Sequence, residues 1–140
     1  MSSHRREIVA RGHSGKPIDA VWARLADAPT WKEWARFTVS DYEREGEPAP
    51  HGAGAIRRFG FPIYKSREQV LEFDPPHHLA YTLLSGLPLR DYRADVTLTE
   101  AAGGTDIEWR SSFEAPWPGA FWQAFLAFSL RDFATRLAQA

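Results

Sequence analysis

The chain has 140 residues, and 17 Lys+Arg against 18 Asp+Glu leave a net charge of −1. That length is one ordinary domain, expected over 1–140, and the balanced charge argues against a surface built for nucleic acid or anionic lipid, which needs an excess of basic charge. No cysteine is present, which excludes disulfides, thiolate metal sites and a cysteine nucleophile. Aromatic residues reach 14 %, and the question they raise is whether the rings fill a core or line a pocket.

In chain order, the polar start gives no signal-peptide core, and the apolar stretch Ala120–Leu130 is too short to span a bilayer. The expectation is a cytoplasmic protein without stable membrane insertion. Residues 7–13 predict a first strand ending at Ser14-Gly15. Pro17 suits a helix start and Asp19 its first turn, and Ile18, Val21, Trp22 and Leu25 recur at helical spacing. Trp31 and Trp34, three apart, predict a second short helix. Strands follow over 37–42, 55–61, 64–73 and 77–84, with a turn at Pro62 and a stop at Asp74-Pro75-Pro76. Residues 91–99 alternate, with Tyr92, Ala94, Val96 and Leu98 on one side. Residues 105–113 alternate again, with Ile107, Trp109 and Phe113 on one side. Such alternation describes an antiparallel sheet with one packed face and one wet face.

From Ala120 to Leu137 no Gly or Pro interrupts a long helix. Phe121, Phe125 and Phe128 make one apolar stripe; Trp122, Leu126, Leu130, Phe133 and Leu137 make a neighbouring one. A helix this apolar must pack on a large surface. The fold class is therefore α+β: a curved antiparallel sheet of about seven strands, in the order β-α-α-β6-α, wrapped around the C-terminal helix. The Phe121, Phe125 and Phe128 stripe is expected to face the sheet.

Local phrases point to a family. Pro17-Ile18-Asp19-Ala20-Val21-Trp22, Trp31-Lys32-Glu33-Trp34, Phe73-Asp74-Pro75-Pro76-His77-His78-Leu79-Ala80-Tyr81 and Gly103-Gly104-Thr105-Asp106-Ile107-Glu108-Trp109 resemble the START-like, or SRPBCC, superfamily. The nearest subgroup is that of the bacterial polyketide cyclase/dehydrase-like proteins. The resemblance implies a helix-grip fold with a cavity between sheet and C-terminal helix. Members range from aromatase/cyclases to lipid binders, chaperone activators and oxygenase domains, so the fold alone does not choose a function.

Catalytic motifs are sparse. None of the five histidines falls in H-x-H or H-E-x-x-H spacing, and His77-His78 point to opposite faces of a strand, so no metal site is expected. Gly52-Ala53-Gly54-Ala55 lacks the third glycine of a dinucleotide loop, and Gly12-His13-Ser14-Gly15-Lys16 lacks the last glycine of a nucleophile elbow. No cofactor is expected.

What remains is a pocket for a small hydrophobic or aromatic molecule, polyketide- or lipid-like. Strand parity nominates Tyr81, Trp109, Ser111 and Phe113 for its sheet wall, and Phe121, Phe125 and Phe128 for its helix wall. Tyr92 and Arg90 are the candidate catalytic pair: a phenol to move a proton, and a guanidinium to steady an enolate oxygen. Arg58 and Glu68 are further ligand-binding candidates; either can point inward, and whether they pair across neighbouring strands depends on a register that sequence does not set. A non-catalytic carrier or sensor, and an interaction module like the chaperone-activating relatives, are the alternatives. A homodimer is compatible with the sequence.

Overall fold

The computed structural model describes residues 5–140. Its elements are β1 (Arg6–Ser14), α1 (Ile18–Ala26), α2 (Trp31–Trp34), β2 (Val39–Arg44), β3 (Ile56–Phe61), β4 (Tyr64–Asp74), β5 (His78–Ser85), β6 (Arg90–Ala101), β7 (Gly104–Glu114) and α3 (Gly119–Gln139). Pro17 stands just before α1 in extended backbone, and Asp19 lies in the first turn, where the helix dipole favours an anion. A 3-10 turn over Ala28–Thr30 leads straight into α2. Phe37, expected inside the second strand, precedes it and packs on Phe59 with ring centroids 5.5 Å apart.

The strands form one antiparallel sheet in the order β1-β7-β6-β5-β4-β3-β2. Hairpins link β2 through β7, while α1 and α2 carry the chain from β1 at one edge to β2 at the other. Register shifts interrupt the ladder between β2 and β3, between β4 and β5, and between β6 and β7. Bulges of this kind bend strands and increase twist, and they curl the sheet around α3. No helix among the described residues is long and apolar enough to cross a membrane.

Helix α3 lies chiefly over β1 and β7. Gly12 on β1 permits the close approach: a Cβ there would sit 3.0 Å from the Ala134 carbonyl oxygen. Leu126, Leu130, Ala134 and Leu137 are the buried residues of α3. The expected orientation of the helix is thus corrected. Phe121, Phe125 and Phe128 are 56 %, 42 % and 61 % exposed, so their stripe faces away from the core. The physical reason is that both stripes are apolar and the leucine stripe continues into the C-terminal half, where Asp132 and Thr135 occupy the phenylalanine side. Those two residues stand four and seven positions beyond Phe128, which places the solvent face.

The core is centred on Trp31. Its ring lies 4.4 Å from Phe59, 4.8 Å from Trp34, 5.7 Å from Trp109 and 5.8 Å from Phe133, and its Nε1 donates to the Leu25 carbonyl at 2.9 Å. The short helix α2 thereby ties β3, β7 and α3 together through one ring.

The orientation of α3 is open to a stability measurement. Leu130→Ala removes a buried side chain and should cost about 2–5 kcal/mol; Phe128→Ala should change stability by less than about 0.5 kcal/mol. Urea denaturation of both variants reads the difference, and equal losses would contradict this helix orientation.

Candidate functional site

Between the sheet and α3 lies a cavity of about 210 Å³. At roughly 30 Å³ per water molecule this is far more than a single trapped water. It is also smaller than the roughly 300–1,000 Å³ of drug-sized sites, so it suits a compact ligand. Phe37, Phe59, Phe61 and Tyr64 supply one wall, Leu83 and Leu87 another, and Phe125, Leu126, Leu130 and Phe133 the helical side. Into this apolar space project a few polar groups: Glu68 on β4, Tyr81 on β5, Tyr92 on β6, with Ser66 and Ser129.

Glu68 is held by a residue that sequence reasoning passed over. Arg57 is fully buried, and its Nη2 donates to Glu68 Oε1 at 3.0 Å. The two residues are direct cross-strand partners. Three rings enclose the guanidinium, with centroids 5.1 Å away for Trp31, 5.1 Å for Phe59 and 4.9 Å for Tyr81. Such faces attract a cation, and more strongly where water is absent. The Nε and Nη1 groups of Arg57 have no hydrogen-bond partner among the described residues.

The Arg58–Glu68 pairing considered from sequence is therefore corrected to Arg57–Glu68. Arg58 sits on the opposite face of β3 and makes two bonds to Asp41, at 2.8 and 2.9 Å. Strand parity carries the reason, because Arg57 shares its side with Phe59 and Arg58 does not. That parity with an apolar ring was the available signal; the Arg57-Arg58 doublet obscured it.

Arg90 is also moved from the expected site. It does not line the cavity; its side chain is 72 % exposed and lies 3.7 Å from Glu114. A bulge spans Arg90 to Arg93, and Asp91 has φ of 50°, in the left-handed region that Asp tolerates better than most residues. Tyr92 points inward beyond that kink and is 7 % exposed. Its ring stacks on Phe113 at 6.2 Å and approaches Tyr81 at 6.3 Å.

The other candidates divide between wall and core. Trp109, Ser111 and Phe113 are completely buried and do not line the cavity. Trp109 instead donates its Nε1 to the Tyr81 hydroxyl at 3.0 Å, fixing that phenol from behind. Of the three phenylalanines on the outer stripe of α3, Phe125 lines the cavity; Phe121 and Phe128 do not.

Burial tunes the polar groups. Removal from water pushes the Glu68 carboxyl above its ordinary 4.5, against the opposing pull of Arg57. Burial raises the Tyr92 phenol, with the Glu68 charge adding to the effect and Ser111 and Tyr81 opposing it. Tyr81 is raised well above 10.0, again first by burial. Both phenols are thus neutral hydrogen-bond donors at any ordinary pH, whereas Glu68 can accept a proton.

On the outer sheet face, Glu72, His78 and Asp95 bring three ligand-type atoms within 4.8 Å of one another. Arg93 donates to Glu72 at 3.0 Å and to both Asp95 oxygens at 3.0 Å, and His78 bonds Asp95 at 2.7 Å. A guanidinium thus occupies the carboxylates, and the group is an ion-pair network.

The raised Glu68 value has a defined sign. The folded state holds the Glu68 proton more tightly than the unfolded chain does, so this contribution to stability is full below 4.5. It declines as pH rises through the higher folded value. Stability of the protein relative to Glu68→Gln should therefore fall as pH rises from 4.5. Denaturation midpoints of both proteins across that range check it; a difference that grows with pH would contradict the assignment.

The fold and family agree with comparisons to known proteins. The polyketide cyclase/dehydrase and lipid transport family model matches residues 8–140. A protein of Mesorhizobium loti is similar in structure, with TM-score 0.75 and 18 % identity over 96 % of this chain and 95 % of its own. Norcoclaurine synthase from Thalictrum flavum, solved with dopamine and hydroxybenzaldehyde, matches with TM-score 0.70 and 13 % identity, covering 99 % of this chain and 87 % of its own. The di-domain ARO/CYC StfQ of the steffimycin biosynthetic pathway matches with TM-score 0.72 and 11 % identity over 96 % of this chain and 49 % of its own. No curated protein matches by sequence. At such identities the structural likeness carries the helix-grip fold alone, and the family match over nearly the whole chain carries the rest: this chain belongs to the polyketide cyclase/dehydrase and lipid transport family, within the START-like (SRPBCC) superfamily.

Proposed function

We propose that the chain binds a compact aromatic or polycarbonyl molecule in the cavity beneath α3, with Glu68 and Tyr92 as its polar contacts. The observation that carries this reading is a largely buried carboxylate, 14 % exposed, lining an otherwise apolar cavity. A structural ion pair has no need of a void beside it, and replacing such a pair by apolar residues is often neutral or stabilising. Tyr92 adds a neutral donor to the same space. An acceptor and a donor in an aromatic enclosure match a ligand with one acidic hydrogen and one carbonyl or hydroxyl oxygen.

The same pair favours an enzymatic version. A carboxylate with a raised proton affinity, shielded from water, suits removal of a proton from carbon between two carbonyl groups. Tyr92 would hold the enolate oxygen through its hydroxyl. The enolate carbon would then attack a second carbonyl of the same chain, the new alkoxide would take back the proton carried by Glu68, and the enclosure would hold the two carbons in register. Arg90 has no part in this version. Arg57 keeps Glu68 in place without reaching the cavity itself.

Native mass spectrometry of protein taken from cells should show a co-purified small molecule, and an environment-sensitive dye should bind the empty protein. Leu83→Trp, which fills the cavity, should weaken dye binding at least about tenfold, and Tyr92→Phe should weaken a carbonyl-bearing ligand by about 3–10-fold. An empty protein whose dye binding ignores Leu83→Trp would refute the cavity reading. For the enzymatic version, cyclisation of a polycarbonyl mimic should be lost in Glu68→Gln and unchanged in Arg90→Gln; turnover that survives Glu68→Gln leaves binding alone.

A further inference from the structure

Antiparallel pairing brings three loops to one end of the sheet. Phe61 pairs with Tyr64 at the β3–β4 turn, Arg67 with Ser85 next to the β5–β6 connection, and Arg90 with Glu114 where β7 leaves for α3. Surface loops are ordinarily polar. These read Phe61-Pro62-Ile63-Tyr64, Leu87-Pro88-Leu89 and Pro116-Trp117-Pro118, without a charged side chain among them. Ile63 is 98 % exposed and Trp117 92 %. The opposite end carries Lys16, Asp74 and His77 in its turns.

The charge around these tips is also uneven. Lys65 donates its Nζ to the Pro62 carbonyl at 3.1 Å, which keeps the ammonium at the tip. The Arg6 guanidinium lies against Gly119 at the start of α3. Arg5 donates to the Asp91 carbonyl at 2.7 Å, and Arg90 stands beside Glu114. Beside the ion pairs Arg110–Glu7 and Arg67–Glu43, which cancel, Arg5, Arg6, Lys65 and Arg90 outnumber Asp91 and Glu114 at this end, although the chain as a whole carries −1.

Contiguous exposed apolar surface marks an interaction site. Here exposed apolar side chains project from two separate loops, Ile63 with Phe61 and Tyr64 on one and Trp117 on the other, while Leu87 and Leu89 between them pack on the core, and cations are set among them. That form suits the interface of an anionic bilayer, where Trp is enriched and each nearby Lys or Arg gains from the surface potential. It suits a complementary rigid protein face less well. The cavity opens at the same place, since Phe61, Tyr64 and Leu87 belong both to these loops and to its lining.

We propose that this end of the sheet docks on an anionic membrane surface, with the cavity mouth turned toward the lipid. Docking of this kind is peripheral and needs no spanning helix. It goes beyond the ligand reading and does not depend on it, because dye binding in solution and vesicle binding are read separately.

Flotation of the full chain with vesicles of phosphatidylcholine and phosphatidylglycerol tests it. The protein should float with these vesicles, less with phosphatidylcholine alone, and less as salt rises. Ile63→Glu with Trp117→Glu should reduce binding about tenfold or more, and Leu71→Glu, on an exposed residue elsewhere on β4, should leave it unchanged. Melting temperatures check folding, and Ile63→Asn with Trp117→Asn replaces the Glu pair if that pair lowers them. Protein that stays in the aqueous fraction, or that floats equally in the double variant, overturns the proposal. So does light scattering that shows a dimer abolished by the same two changes, since the tips would then belong to a second copy.

Discussion

A guanidinium without access to water stands at the centre of this molecule. Arg57 is caged by Trp31, Phe59 and Tyr81 and bonded to Glu68. A buried charge of this kind is tolerated when it is paired and its surroundings are polarisable, and it is strongly destabilising when its partner is removed. The constraint joins four elements at once: α2 through Trp31, β3 through Arg57 and Phe59, β4 through Glu68, and β5 through Tyr81. The sheet curvature, the placement of the short helix and the orientation of the carboxylate all have to agree for that cage to close.

The cavity follows from the same arrangement. Helix α3 covers mainly β1 and β7, and over the cavity its middle, from Phe125 to Phe133, supplies the roof. Rings crowd the edges of this space and fail to fill its middle. Two of the polar residues facing the void adjoin a register shift: Glu68 lies where β4 slips against β5, and Tyr92 lies within the β6–β7 bulge. Bulges re-aim side chains, and here they place a proton acceptor and a proton donor on the inner face.

The fold was legible because period-2 and period-3.6 patterns change cleanly at Trp34 and again at Pro116, and the strands from Tyr92 and Thr105 alternate without interruption. The polar corner was less so. Tyr81 and Tyr92 were nominated by parity, whereas Glu68 was a candidate whose orientation the sequence left open, and it lines the cavity. Arg57 went unnoticed because the neighbouring arginine competes for the same role, and only the shared side with Phe59 separates them. Arg90 was misjudged because a bulge breaks the parity between it and Tyr92, and no residue type announces that bulge except an Asp that tolerates positive φ. Of the α3 phenylalanines, Phe121 and Phe128 were misassigned because their ring size outweighed a subtler cue, the continuation of their stripe into Asp132 and Thr135, while Phe125 lines the cavity as expected. Trp109, Ser111 and Phe113 were inward as expected, yet inward on a sheet of this curvature means core at the β7 side and cavity at the β4 side.

Glu68 is the point at which ion pair, cavity and chemistry meet, so its protonation is the most direct test. Carbon-13 resonances of its carboxyl group, assigned by comparison with Glu68→Gln, can be followed against pH with and without a cavity-filling ligand. The account predicts a midpoint above 4.5 that moves when the ligand enters. A midpoint at or below 4.5 that ligand leaves unchanged would contradict it, and would make Arg57–Glu68 a structural ion pair with no role in what the cavity holds.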